Sequence, residues 1–379
     1  MKKKLKVLHL PTSVGGNPQG ISKFMNKLGL NSETLIFKKT IFNYQADKVI
    51  QKRNHSRVIA EIKRFLYLKY VFDYDVIFFN YGTTLFHQYP SDGFASESYL
   101  ARSLFTIFRF YMFLMQRIEI FLLKIFNRKL IIQYQGGDAR QGAFQKANFL
   151  ISIADNVDDS VYSKESDKTK QDQIKFLTNT CDLVYSLNPD IMHVLPTKTK
   201  FLPYSSIDLD EWKPIYIKRS AQKLKIGHAP SNRSSKGTEL IIKSLNKLKK
   251  EGFDFELVLI ENLSNQKART IYESVDVLID QLYSGWYGGI SVELMALGKP
   301  IMVYLRESDF RFIPKQMVRD FPFLRINVNT IDNDLKSLLT MNRDKLLEIG
   351  YKSRIYVEKW HDPRKVVRNI NNDIYKLFR

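Results

Sequence analysis

Apolar residues recur in short runs, each followed by a polar loop carrying Gly, Asn or Ser: Val7 to Leu10, Thr34 to Phe37, Val76 to Phe79, Leu130 to Gln133, Leu183 to Ser186 and Phe201 to Pro203. Runs of this length, separated by stretches with helical periodicity, predict strand-helix units and a parallel sheet. From Lys223 the rhythm restarts. Strands are predicted at Lys225 to Ala229, Phe255 to Ile260, Val277 to Asp280 and Ile301 to Tyr304, and helices at Thr238 to Glu251, Asn265 to Ser274 and Gly289 to Leu297. The pattern is that of an α/β chain with two doubly wound, Rossmann-like domains. The boundary is expected in the Pro203–Pro214 linker, giving an N-terminal domain over residues 1–204 and a C-terminal one over 205–362. No sequence repeat accompanies this architectural duplication.

The stretch Ser103 to Ile125 departs from a plain sheet-covering helix. It carries Phe105, Phe108, Phe110, Phe113, Leu114, Phe121 and Leu122, interrupted by Arg109, Arg117, Glu119 and Lys124. Each such charge costs about 2.5 to 3.5 kcal/mol at a bilayer centre, so a membrane span is not expected. Two readings stay open: a helix buried between sheet and neighbours, and an interfacial helix lying on lipid. A second helix is expected near Lys48 to Lys69, with Lys48, Lys52, Arg53, Arg57, Lys63, Arg64 and Lys69 as a cationic series.

Charge placement sharpens the second reading. The chain of 379 residues has a net charge of +20. Residues 1–150 carry 23 Lys and Arg against 9 Asp and Glu, and the rest 36 against 30. The N-terminal half is therefore the basic one, which suggests an anionic membrane surface or a nucleic acid; no nucleic-acid module accompanies the charge, so no nucleic-acid partner is expected. The alternative is a lysine-rich composition without a function. Cys181 stands alone, which excludes an intramolecular disulfide and a cysteine-based zinc site and fits a reducing cytoplasm. The start, Met1 to Leu10, has an apolar run too short for a signal segment and reads as a first strand.

Four stretches carry candidate chemistry. In GWYGGISVELMALGKP, residues 285–300, Gly288 and Gly289 open a short helix whose first amides, through Ile290, are accessible to an anion. Glu293 lies one turn further in, where a carboxylate suits a ribose diol better than a phosphate. In HAPSNRSSKGTE, residues 228–239, Arg233 and Lys236 are expected in a loop at the C-terminal edge of the second sheet, where open parallel sheets bind ligands. PTSVGGNPQG, residues 11–20, is a glycine-rich turn without the GxGxxG spacing of a dinucleotide site. YQGGDAR, residues 134–140, offers the Asp138 carboxylate in a flexible turn. No Asp-x-Asp stretch lies in a loop suited to Mg²⁺, so cationic side chains are expected to stand in for a metal.

Together these stretches resemble the family 4 glycosyltransferases of the GT-B fold. SNRSSKGTE matches the donor-phosphate loop, GWYGGISVELMALGKP the end of the E-x7-E motif, FLPYSSIDLDEWKP the domain linker, and SRIYVEKWHDPRKVVRNINNDIYKLF the terminal helices. The resemblance implies two Rossmann-like domains facing across a cleft, with residues 363–379 crossing back to complete the first. It implies a retaining transferase that takes a nucleotide-diphosphate sugar and needs no further cofactor or metal. Arg233 and Lys236 would bind the diphosphate and act in catalysis, Glu293 the ribose, Gly288, Gly289 and Ile290 the phosphate and sugar, and Gly16 the diphosphate from the other domain. Asp138 would serve catalysis and, with Gln135 and Asn80, the acceptor side. The acceptor would be a glycan or a lipid-linked sugar in bacterial cell-surface polysaccharide synthesis, at the cytoplasmic face of the plasma membrane, alone or beside a partner transferase. Three positions depart from the family pattern: Gly285 stands where the first motif glutamate is expected, Gln135 where histidine is common, and the spacing from Arg233 to Lys236 is short. A non-catalytic sugar-nucleotide-binding subunit and a sugar-nucleotide epimerase are the rival readings.

Overall fold

The computed structural model describes residues 4–51, 57–86, 99–217 and 223–379, the side chains of 57 and 99–105 excepted. Its contacts divide the chain into two units. One comprises Met1–Phe144, Asp158–Leu202 and Val366–Arg379, and the other Gln145–Val157 and Pro203–Lys365. Residues 145–157, which the sequence pattern left in the first domain, thus group with the second.

In the first unit β1 (Lys6–Leu10) leads to α1 (Asn17–Lys27), β2 (Asn31–Ile36), β3 (Lys48–Val49), α2 (Arg57–Val71), β4 (Val76–Asn80) and α3 (Tyr99–Ile125). The chain continues through β5 (Lys129–Tyr134), α4 (Gly142–Asn148), α5 (Lys164–Thr180), β6 (Leu183–Ser186) and β7 (Lys200–Phe201). The strands form one sheet in the order β3-β2-β1-β4-β5-β6-β7, every recorded pair parallel. Strand order reverses between β1 and β4. Central strands such as β4, VIFFN, are buried throughout because helices cover both faces, and so they read as continuous apolar runs. One face packs Leu8, Leu10, Ile77, Phe79, Leu130 and Ile132 against Met112, Ile120 and Leu123 of α3.

The expected cationic helix is corrected in two places. Lys48 lies in β3, and Arg64 of α2 is buried at 1 % exposure. Its guanidinium stacks over Phe37 and Phe86, at 4.3 and 5.5 Å, and pairs with Glu61 at 3.0 Å. A planar, weakly hydrated cation tolerates such an aromatic pocket. Lys52 and Arg53 lie outside the described residues, as do the side chains of Arg57 and Phe105.

The second unit runs β8 (Leu224–His228), α6 (Arg233–Lys236), α7 (Thr238–Lys250), β9 (Phe255–Leu259), α8 (Asn265–Ser274), β10 (Val277–Ile279) and α9 (Gly289–Ala296). It closes with β11 (Ile301–Val303), α10 (Lys315–Arg319), β12 (Leu324–Arg325), α11 (Ile331–Leu339) and α12 (Arg343–Trp360). The parallel sheet has the order β12-β11-β10-β8-β9, so its reversal falls between β8 and β10. The last helix, α13 (Pro363–Lys376), begins in this unit and carries residues 366–379 into the first. There Asp373 accepts hydrogen bonds from Tyr185 and Lys200, at 2.9 and 2.7 Å.

Candidate functional site

At the reversal point of the second sheet the loop after β8 and the end of β10 meet. The loop is shaped by its own residues: Asn232 Oδ1 accepts from the Ser235 amide at 2.9 Å, which caps the single turn α6. Gly237 ends that turn at φ +77°, where a Cβ would lie 2.8 Å from Leu282. Arg233 and Lys236 are therefore carried on a helical turn rather than in the open loop expected. Behind them His228 is fully buried. Its Nδ1 donates to the Ile279 carbonyl and its Nε2 accepts from the Thr238 hydroxyl, both at 2.8 Å, which ties β8, β10 and α7 together. Burial holds this imidazole below its ordinary pKa.

Lys236 turns inward. Its Nζ lies 2.8 Å from Oδ1 of Asp280, the residue that follows β10. The other oxygen of Asp280 accepts from the Gly288 amide at 2.6 Å and the Ser291 hydroxyl at 2.7 Å. Burial pushes the Asp280 carboxyl up, but Lys236 and the two further donors outweigh it and keep the group below the usual carboxylate range. The same lysine approaches Gly288 closely, its Nζ 3.3 Å from the place a Cβ would take. The helix start is thus not bare at Gly288, whose amide Asp280 occupies. The first turn of α9 continues with Gly289 and Ile290, both half-buried, and the Tyr204 ring lies 3.8 Å from the place a Gly289 Cβ would take.

Glu293 stands one turn further along α9, buried at 6 %, with Oε1 accepting from Asn265 Nδ2 at 2.8 Å. Burial raises its carboxyl to about 7, offset in part by Asn265 and Arg269. Arg233 is engaged as well. Its Nε and Nη2 clamp Glu261 at 2.9 and 2.7 Å, and Nη1 reaches Glu239 at 3.0 Å. Its guanidinium is about half exposed, so an incoming anion competes with two carboxylates there.

The stretch before α9 has a structural task. Gly285 adopts φ +76°, and a Cβ on it would lie 2.6 Å from Nη1 of Arg306. The guanidinium that fills this space donates to Asp309 at 3.0 Å and to the Ile151 carbonyl at 2.7 Å, and stacks over Phe149 at 3.7 Å. Gly285 is therefore the residue that admits Arg306, which holds the 145–157 segment in this unit. Trp286 and Tyr287 are buried in an aromatic cluster with Phe321, Phe323 and Tyr356 and set the entry to α9.

In the first unit the expected residues lie at the C-terminal edge of its sheet. Gly16 has φ +67° and is covered by the Tyr44 ring, 2.6 Å from where a Cβ would be. Asn80 is fully buried and donates to the Leu10 and Phe78 carbonyls, at 3.4 and 3.0 Å, bridging β1 and β4 at their reversal point. The 134–140 turn is held rather than flexible. Asp138 accepts from the amides of Gln135 and Gly136, the latter at 2.6 Å, and burial raises its carboxyl to about 6. The Gln135 side chain donates to Gln133 Oε1 at 3.4 Å.

No protein-family model matches the chain, and no curated protein matches it. Solved structures do. Sucrose-phosphate synthase from Thermosynechococcus elongatus is similar over 98 % of both chains, with a TM-score of 0.57 and 12 % identity. HepE from Anabaena in complex with UDP-glucose aligns over 98 % of this chain and 100 % of its own, at 0.59 and 10 %. A glycosyltransferase from Rickettsia africae covers 100 % and 99 %, at 0.54 and 13 %. The chain has the GT-B fold. At these identities the likeness establishes the fold, and the site must speak for the chemistry. Sequence reasoning brought Lys236, Gly288, Gly289, Ile290 and Glu293 to one sheet edge of this GT-B chain. It missed Asp280, Asn265 and Tyr204; an acidic residue directly after an apolar strand was the available signal for Asp280.

Proposed function

We propose that this chain is a glycosyltransferase that uses a nucleotide-diphosphate sugar as donor. The observation that carries the reading is the convergence of Lys236 on the start of α9 at the β8/β10 reversal point, the position at which open parallel sheets bind ligands. Lys236 and the Gly289 and Ile290 amides neutralise the departing diphosphate as the anomeric bond breaks, a task of positioning and charge stabilisation. Gly288 leaves room for the phosphates, its own amide remaining on Asp280. Glu293 takes the ribose diol, and Arg233 contributes a second cation once it leaves Glu261. Gly16 belongs to the first unit's share of the proposal, at the glycine-rich turn after β1. There Asp138, Gln135 and Asn80 shape the acceptor side, Asp138 as the catalytic carboxylate. The family 4 assignment, retention of configuration, metal independence and a glycan or lipid-linked acceptor in bacterial polysaccharide synthesis at the inner face of the plasma membrane belong to the same proposal. The UDP-glucose held by HepE supports the donor class.

Incubation with a panel of nucleotide sugars, read by mass spectrometry, tests it. Slow release of nucleotide and free sugar, lost in Lys236→Met, is the expected result; an altered sugar still joined to its nucleotide would mark an epimerase. A second reading, a sugar-nucleotide-binding subunit without turnover, is favoured by Arg306 filling the space beside Gly285. It requires binding with no release under any acceptor.

A further inference from the structure

Helix α3 is apolar on two opposite sides. Met112, Ile120 and Leu123 enter the core, whereas Ile107, Phe110, Leu114, Ile118, Phe121 and Ile125 point outward. These six follow one another at steps of three or four residues, so they form a single stripe along the helix. Ile107, Phe110 and Phe121 are 66, 67 and 64 % exposed. Next to α3, joined to it by Arg64 against Met112 at 3.1 Å and Tyr111 against Glu61 at 3.4 Å, helix α2 turns out Val58, Ile62, Phe65 and Leu66. Single exposed apolar side chains need no explanation, but two contiguous stripes mark a surface that meets something.

Charge identifies the partner. Lys69 and Lys124 are exposed, and Lys63, Arg109 and Arg117 half-buried, while the only acidic residues of α2 and α3 are Glu61, paired with Arg64, and the fully buried Glu119. A second copy docked through this face would set like charges against one another. An anionic bilayer satisfies both features, taking the apolar stripes between its head groups and the cations at its surface. No helix among the described residues is long and apolar enough to cross a membrane, so the contact is peripheral.

We infer that the outer face of α2 and α3 docks the protein on an anionic lipid surface. The inference deepens the membrane location proposed above and rests on it for that location alone; no residue of the candidate donor site takes part, so failure of docking and failure of the transferase reading are distinguishable. Sedimentation of the full chain with vesicles of phosphatidylglycerol and phosphatidylcholine, and with phosphatidylcholine alone, tests it at low and high salt. The wild type is expected to pellet with the anionic vesicles at low salt and to be released by high salt. Lys69→Gln with Lys124→Gln should weaken partitioning by roughly fivefold per charge. Phe110→Ser with Phe121→Ser should weaken it by roughly tenfold or more at an unchanged melting temperature, since both rings lie outside the core. Lys236→Met should pellet like the wild type. Wild-type protein left in the supernatant at low salt, equal binding to neutral vesicles, or a dimer in light scattering that Phe110→Ser with Phe121→Ser dissociates would each overturn the inference.

Discussion

Lys236 Nζ and Asp280 Oδ1 stand 2.8 Å apart, both nearly buried, at the point where the strand order of the second sheet turns round. Through its other oxygen the same carboxylate holds the Gly288 amide, so one residue orients both the cation and the helix start assigned to the donor phosphates. If Asp280 acts by positioning Lys236, Asp280→Asn lowers turnover by roughly 10²-fold, of the order seen for one lost charge donor. The double variant Asp280→Asn/Lys236→Met should then turn over no more slowly than Lys236→Met alone. Stability should move the other way, because removing one partner of a buried pair leaves an uncompensated charge and removing both does not. Melting of the double variant above Lys236→Met is therefore expected. Additive losses in turnover would assign Asp280 a separate role.

Arg233 differs from Lys236 in being open to solvent and held by Glu261 and Glu239. A diphosphate has to displace these carboxylates, so weakening their hold should favour the ligand. Glu261→Gln is expected to raise affinity for a nucleoside diphosphate by roughly two- to fivefold, an exposed ion pair being a weak competitor, with the gain shrinking in high salt. Titration calorimetry reads it directly, and a loss of affinity in Glu261→Gln would make Glu261 part of the ligand site.

The strands were legible because parallel, doubly covered strands such as Val76–Asn80 are apolar along their whole length. Of the two-residue strands, β7 overlapped the predicted run from Phe201, whereas β3 and β12 were not predicted. Arg64 was misplaced on a cationic face because its pocket is assembled from Phe37, Phe86 and Met112, which only the fold brings together. Local grammar placed Gly288, Gly289, Lys236 and Glu293 at one sheet edge, through the strand-to-helix turns that precede their helices. It could not find Asp280, whose partner lies 44 residues away, nor the reason for Gly285, which is the Arg306 side chain from beyond β11.

That reason has a consequence for engineering the site. Gly285→Glu, which puts a glutamate where the proposed family 4 resemblance expects one, should lower the melting temperature and gain no donor use, since the backbone is left-handed there and Arg306 occupies the space. Arg306→Ala should lower the melting temperature by removing the guanidinium that Asp309 meets at 3.0 Å in a buried ion pair. It should also speed hydrogen exchange across residues 145–157, which lose the bond to the Ile151 carbonyl. Unchanged exchange in that segment would show that other contacts hold it.

Glu293 links the ribose assignment to pH. Burial raises its carboxyl from 4.5 to about 7, so burial favours its protonated form. A group shifted in this direction contributes stability that is fully present below the unfolded value and is lost as pH rises through 7. Binding has the opposite sign: two hydroxyls of a ribose diol donate to the carboxylate, so the ligand favours the ionised form. Affinity for a nucleotide sugar, whose phosphates do not titrate in this range, should therefore rise between about pH 6 and pH 8, by up to roughly tenfold per unit of pKa shift that the ligand reverses. Glu293→Gln should bind more weakly at pH 8, show little dependence on pH, and lose the matching fall in melting temperature. Calorimetry and thermal melts across that range decide the point, and an affinity for the wild type that falls with rising pH would mean that Glu293 meets the ligand as a protonated donor instead.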